Sequence, residues 1–285
     1  MENVEIACAL EEVAQRLDEM GASPQQVRAY RAAADTVRRL ERPARQILAE
    51  EGREGLKSRE HITDRMADAI EEMVDRRHLD YLDELRAQAE PEEVFDGIRG
   101  IGDALADDIQ RELGIVTMEE LVAAAADGRL GRVGEIGRAR AERIHKALAK
   151  RQMRRPALPV AGRPPVAELL AVDEEFRHKA RAGLLHRIAP RRYSPTRDPW
   201  LPVLGTVHGP RRYSAFPANT HLAHRSGKTG DWVMLYYAEE GRLGQAMVAT
   251  ETVGDLAGKR VVRGREREET AAMADQTTAE RRTGG

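Results

Sequence analysis

An isoleucine, an alanine five residues on and a second isoleucine three beyond it recur three times in this chain. The sets are Ile62–Ala67–Ile70, Ile101–Ala106–Ile109 and Ile136–Ala141–Ile144. Equivalent positions lie 39 and then 35 residues apart, a period that belongs to helical arrays. Alanine at the middle position lets neighbouring helices approach, so the repeat constrains the N-terminal half to stacked helices.

Local signals agree. Ile6, Leu10, Val13, Leu17 and Met20 recur at spacings of four and three and form one apolar stripe. Gly21 supplies a C-terminal stop, and Ser23-Pro24 an N-cap with proline in the first helical position. The next helix runs to about Leu40 before Arg42-Pro43 breaks it. Further helices are predicted over 43–51, 62–76, 79–88, 103–112, 118–127 and 137–150, with Thr117 and Glu120 forming a capping box.

The chain changes character at 151–165, a basic proline-rich linker. A helix over about 166–182 follows, and short β-type segments begin near Ala189. Trp232–Tyr237 is the clearest strand, Gly241 closes a turn into a second over Gly244–Thr252, and Gly258–Arg263 is a third. Residues 266–285 are polar and predicted disordered. The fold class is α+β: an all-α domain over 1–150, then a smaller α+β domain with an antiparallel sheet over 166–265.

Charge divides the same way. Residues 1–150 carry 23 Lys+Arg against 33 Asp+Glu, whereas 151–285 carry 23 against 15. The acidic and basic halves read as modules with different tasks. The single Cys8 excludes an internal disulfide. Met1-Glu2-Asn3-Val4-Glu5 has acid where a signal peptide needs base, and the apolar run from Trp232 to Ala238 is too short to span a bilayer. The expectation is a soluble, cytoplasmic protein without membrane contact.

In the second copy the first isoleucine lies in a glycine-bracketed turn, Ile98-Arg99-Gly100-Ile101-Gly102, directly before a helix. That pattern resembles the helix-hairpin-helix motif, which holds DNA by its backbone. More widely, Asn3-Val4-Glu5-Ile6 through Val13, Val27–Ala33 and Leu79–Arg86 resemble the N-terminal helix-hairpin-helix region of bacterial family X DNA polymerases, over residues 3–150. The resemblance stops there. Nothing after residue 150 offers the Asp-x-Asp pair that such a polymerase needs for two magnesium ions, and no His-x-His cluster stands for its phosphoesterase domain. Some members also cleave abasic-site sugars with a lysine in the helix after the first hairpin. Here Ala69 stands at that position and the helix from Thr63 to Ile70 has no lysine. No catalytic residue, metal ligand or cofactor is expected, although the resemblance implies a monovalent cation at the hairpin carbonyls.

A hairpin binds a phosphate with backbone N–H groups at a helix N-terminus, and glycine permits the approach. Copy one has His61 and Thr63 at the glycine positions and is expected to keep only the packing. Copy two has Gly100 and Gly102, followed by Asp103 and Ala104. Copy three, Val133-Gly134-Glu135-Ile136-Gly137, has Glu135 at its first glycine but Arg138, Arg140 and Arg143 close by. Gly100, Ile101, Gly102, Ala104, Gly134, Ile136, Gly137, Arg138 and Arg140 are therefore the expected DNA contacts, with Arg28, Arg31, Arg38 and Arg39 as auxiliaries. The partner would be duplex, nicked or gapped DNA, and the role a non-catalytic accessory in DNA repair.

Three C-terminal features leave alternatives open. Arg191-Arg192-Tyr193 and Arg211-Arg212-Tyr213 pair base with aromatic, which suits either nucleic-acid stacking or a loop motif. Ser226-Gly227-Lys228-Thr229 ends like a phosphate-binding loop, but Leu222 replaces its first glycine. His221 and His224 with Asp231 or Glu251 suggest a metal-dependent nuclease as one alternative function. A protein-interaction scaffold with degenerate hairpins is the other.

Overall fold

The glycine and proline signals fall where the helices break. The computed structural model describes residues 1–88, 95, 98, 100–115, 118–134, 136–152, 162–191, 193, 198–266 and 268. Helix α1 (Asn3–Glu19) is stopped by Gly21 at φ +71°, with the Ala22 N–H returning to the Leu17 carbonyl at 2.8 Å. Helix α2 (Pro24–Arg38) starts where Ser23 Oγ accepts the Gln26 N–H at 3.3 Å. With α3 (Ala44–Lys57), α4 (Asp64–Arg76) and α5 (Asp80–Arg86) they enclose a first core that includes Ile6, Leu10, Tyr30, Ile47 and Ile70. Helices α6 (Asp103–Leu113), α7 (Met118–Ala126) and α8 (Arg138–Gln152) enclose a second, around Ile109, Leu121 and Ile144.

The sequence repeat is also a repeat of hydrogen bonds. The first isoleucine of each copy donates its N–H three residues back: Ile62 to Arg59 at 3.3 Å, Ile101 to Ile98 at 3.0 Å, Ile136 to Val133 at 2.8 Å. Each alanine closes the first helical turn, Ala67 onto Thr63, Ala106 onto Gly102 and Ala141 onto Gly137, at 2.9, 2.9 and 3.0 Å. The second isoleucines are fully buried.

After α9 (Val166–Arg181) the chain builds a six-stranded antiparallel meander in simple sequence order: β1 (His186–Ile188), β2 (Leu201–His208), β3 (Arg211–Pro217), β4 (Val233–Glu239), β5 (Arg242–Thr250) and β6 (Arg260–Val262). A short helix α10 (His221–Arg225) lies between β3 and β4. The three predicted strands are β4, β5 and β6. Pro202 and Gly205 in β2, and the Arg211-Arg212 start of β3, obscure the alternation that would have marked those strands.

Antiparallel sheets usually leave one face to water. This one covers both. Leu169, Val172 and Phe176 of α9 pack on the face carrying Leu204, Ala215, Leu235 and Val248. The other face, with Phe216, Met234, Tyr236 and Met247, receives α10, Ala87 and both helical modules. Double coverage explains why β4 is a continuous apolar run instead of an alternating one.

Several expectations lie outside the described residues: the Thr117 half of the capping box, Arg99, Glu135 and Arg192, most of the linker, and the tail beyond 268. Glu120 itself is buried and turned elsewhere, accepting the Gln245 N–H at 3.3 Å and pairing with Arg129 at 3.4 Å.

Candidate nucleic-acid interface

Glycine has two separate uses in these hairpins. At Gly100 the backbone requires it, because φ is +106°. In copy one the equivalent residue is His61, held left-handed at φ +63°, so the same turn forms without glycine at a cost in backbone energy. Gly102 is different. Its φ is −118°, and a Cβ there would meet nothing within 4 Å. Gly137 likewise has open space around it and no left-handed backbone. The fold accepts a side chain at this position, since Thr63 occupies it in copy one with φ −80° and caps its own helix through Met66 N–H.

At copies two and three the consequence is bare backbone. Gly102, Asp103 and Ala104 are exposed at the N-terminus of α6, and among the described residues no acceptor takes their N–H groups. The same holds for Gly137, Arg138 and Ala139 at the start of α8. The two turns are packed together: Arg140 Nε donates to the Gly100 carbonyl at 3.1 Å, and Gly100 lies against Ile144. Two positively polarised helix ends thus share one exposed surface.

The remaining expected contacts divide by role. Ile101 and Ile136 spend their N–H groups inside the turns and their side chains in the second core, so they shape the hairpins. Arg140 fastens one hairpin to the other and places a guanidinium at a carbonyl of the turn. Gly134 donates its N–H to Glu112 Oε2 at 3.3 Å, an internal carboxylate at the third hairpin. Arg138 and Arg143 are exposed and carry no ion pair among the described residues. Of the auxiliaries, Arg31 pairs with Glu11 and Asp18, Arg38 pairs with Asp35, and Arg39 folds back onto the Asp35 carbonyl. Arg28 alone of that set is exposed without such a partner among the described residues.

The C-terminal motifs have structural roles. Arg211 pairs with Glu168 and Glu239, Arg212 with Glu5, and Tyr213 donates its hydroxyl to Glu168 at 2.6 Å. Tyr193 stacks on His224 with ring centroids 3.8 Å apart. Ser226–Thr229 follows helix α10 instead of preceding one, with the Lys228 N–H closing onto Ala223 at 2.8 Å, so its amides cannot cradle a phosphate. Asp231 is held by Thr250 and Arg260, Glu251 by Arg263, and His224 by Asn219. Ala69 is buried in the first core.

What fixes the first module to the sheet is a buried ionic seam that the sequence did not reveal. Glu12 of α1 and Asp83 of α5 clasp Arg86, at 2.6 and 3.0 Å, and Glu12 also takes Arg16 at 2.8 Å. Both guanidinium groups lie on the ring of Tyr236 from β4, and Ser214 of β3 donates to Asp83 at 3.3 Å. Burial alone would push the Glu12 carboxyl up, but Arg86 and Arg16 outweigh it and hold it at about 2. Asp83, where burial dominates, is pushed up. The second module docks differently: Gly114, at φ +70°, touches Met247, the Gln245 side chain donates to its carbonyl at 3.1 Å, and buried Gln110 reaches Thr220 at 2.6 Å.

Comparison with known families agrees with this geometry. Residues 1–79 match the family model of a helix-hairpin-helix domain, and residues 92–150 match a SAM-like helix-hairpin-helix tandem. The chain therefore carries a helix-hairpin-helix region, a class that in general binds nucleic acid. Comparison with curated proteins finds no match. Among the described residues no helix is long and apolar enough to cross a membrane.

Proposed function

We propose that this protein binds DNA without regard to sequence, as a non-catalytic accessory in DNA repair. Residues 1–150 are the binding unit and the α+β part, 166–265, a platform that fixes how the two helical modules face a duplex, nicked or gapped strand. The observation that carries this reading is the pair of glycines at 102 and 137. Neither is required by the backbone or by neighbours, and each leaves a helix N-terminus open to close approach from outside. Unpaired N–H groups at two adjacent helix ends suit phosphate oxygens. Exposed Arg138 and Arg143 supply charge beside them. The likeness of 3–150 to the family X polymerase region supports the repair context.

Fluorescence anisotropy with a labelled gapped duplex tests it. The full chain should bind with an affinity that falls steeply with salt. The pair Gly102→Glu and Gly137→Glu, sterically tolerated in the protein alone, should lower affinity at least about tenfold. Undetectable binding at low salt, or equal binding by the double variant, would favour a protein-interaction scaffold.

A further inference from the structure

One cluster of ligand-type side chains lies outside the hairpins. His78 sits in the turn between α4 and α5, with only 13% of its side chain exposed. Its Nδ1 lies 3.1 Å from the carbonyl oxygen of Arg76, which can only accept, so that nitrogen carries the hydrogen. In the neutral ring Nε2 is then a lone pair, and it faces Asp80 Oδ1 at 3.0 Å. Two acceptors facing each other require a cation between them or a proton on the ring. A carbonyl on the far nitrogen is the support that metal-bound histidines receive.

Two further groups converge. His186 Nε2, on edge strand β1, lies 2.8 Å from Asp80 Oδ2. Glu72 of α4 accepts the Asp80 backbone N–H at 2.7 Å, and ligand atoms of Glu72, His78 and Asp80 lie within 4.8 Å of one another. Gly205 of β2 leaves space for the imidazole, since a Cβ there would come 3.1 Å from Nδ1. Arg76 reaches Asp80 at 3.6 Å from the solvent side and, being more than half exposed, can swing away without losing burial.

We propose that Glu72, His78 and Asp80 bind one divalent transition-metal ion of the zinc type in the α4–α5 turn, with His186 of the sheet edge holding the second oxygen of Asp80 from outside the ligand set. One neutral imidazole and two carboxylates match the charge and the borderline nitrogen and oxygen preference of such an ion, with a water to complete the shell. Donors about 2.1 Å from a tetrahedral centre lie about 3.4 Å apart, against 3.0 Å between His78 Nε2 and Asp80 Oδ1 and no more than 4.8 Å across the set of Glu72, His78 and Asp80. The site closes the α4–α5 turn, His186 ties it to the sheet edge through Asp80, and its role is that of a structural staple.

The test is a titration of the metal-free full chain with Co²⁺, read by the visible bands of tetrahedral cobalt, alongside equilibrium dialysis with Zn²⁺. One equivalent should bind, and the melting temperature should rise with zinc. His78→Gln and Asp80→Asn should abolish stoichiometric binding. His186→Ala should weaken it about 10–100-fold, and His221→Ala with His224→Ala should leave it unchanged. Circular dichroism verifies that each variant is folded, and His78→Gln carries the test should Asp80→Asn fail to fold. Substoichiometric binding by the wild type, or an unaltered affinity in His78→Gln, overturns the proposal and leaves a protonated His78 as the cation at this site.

Discussion

The two helical modules share one hairpin backbone and use it in opposite ways. In the first, Thr63 caps its own helix, His61 fills the left-handed position and the turn turns inward chemically. In the second, Gly102 and Gly137 leave the helix ends bare, with exposed Asp103 beside the first and exposed Arg138 beside the other. Their attachments to the sheet contrast as well. The first module is fixed by buried charge on Tyr236, the second by a close backbone contact at Gly114 and neutral amides. A repeat can thus keep its packing while the helix end is capped in one copy and left open in another. Packing needs the isoleucines and the alanine; binding needs only what the turn does not cover.

The contrast in attachment gives the largest effects. Arg86→Ala strands Glu12 and Asp83 in a buried site and should cost about 3–5 kcal/mol in chemical denaturation. Arg129→Ala in the second module, where the Glu120 contact is longer and Asp127 is partly exposed, should cost about 1–3 kcal/mol. Equal costs would show that charge fixes both modules alike.

Acid probes the same seam. The folded Glu12 carboxyl is held at about 2, below its ordinary value of 4.5, so its contribution is complete above pH 4.5 and is lost as pH falls from there towards 2. The loss should approach about 3 kcal/mol, blunted by Asp83, whose raised value acts in the opposite sense. Thermal melts between pH 6 and 2.5 should show the decline, and Glu12→Gln should flatten it.

At Gly114 an alanine would have to adopt φ +70° with its Cβ only 2.4 Å from that of Met247. Gly114→Ala should cost about 2–3 kcal/mol, and limited proteolysis should then release the second module before the first.

The smallest effects concern binding. Thr63→Glu in copy one should change DNA affinity less than about twofold, against the tenfold or greater loss at Gly102 and Gly137. A large effect of Thr63→Glu would make all three hairpins binding sites. Arg138→Ala should lower the slope of log affinity against log salt by about one, whereas Arg31→Ala, already paired with Glu11 and Asp18, should leave it unchanged.

Much of the helical half was legible because its signals are local. Ser23-Pro24, Gly21 and the Ile–Ala–Ile spacing each act within one or two turns of helix, where propensity and capping decide. The strands β4 to β6 were legible for a similar reason, since apolar runs with tight glycine turns need no distant partner to identify them. Strands β2 and β3 were not, because Pro202, Gly205 and the Arg211-Arg212 pair fit a strand only once neighbouring strands and Glu5, Glu168 and Glu239 are in place. Those same arginines read as a phosphate-binding motif until their internal partners are seen.

The sequence by itself determined a helix-hairpin-helix repeat, where its glycines stand and which copy lacks them. Only the tertiary structure decided which glycines the backbone needs and which stand in open space, because that depends on φ and on the surroundings of a missing Cβ. It alone brought Glu12, Arg16, Asp83 and Arg86 onto Tyr236, and His186 onto Asp80. In the seam, Glu12 and Arg86 become partners because burial removes water and leaves each the other's means of stabilisation.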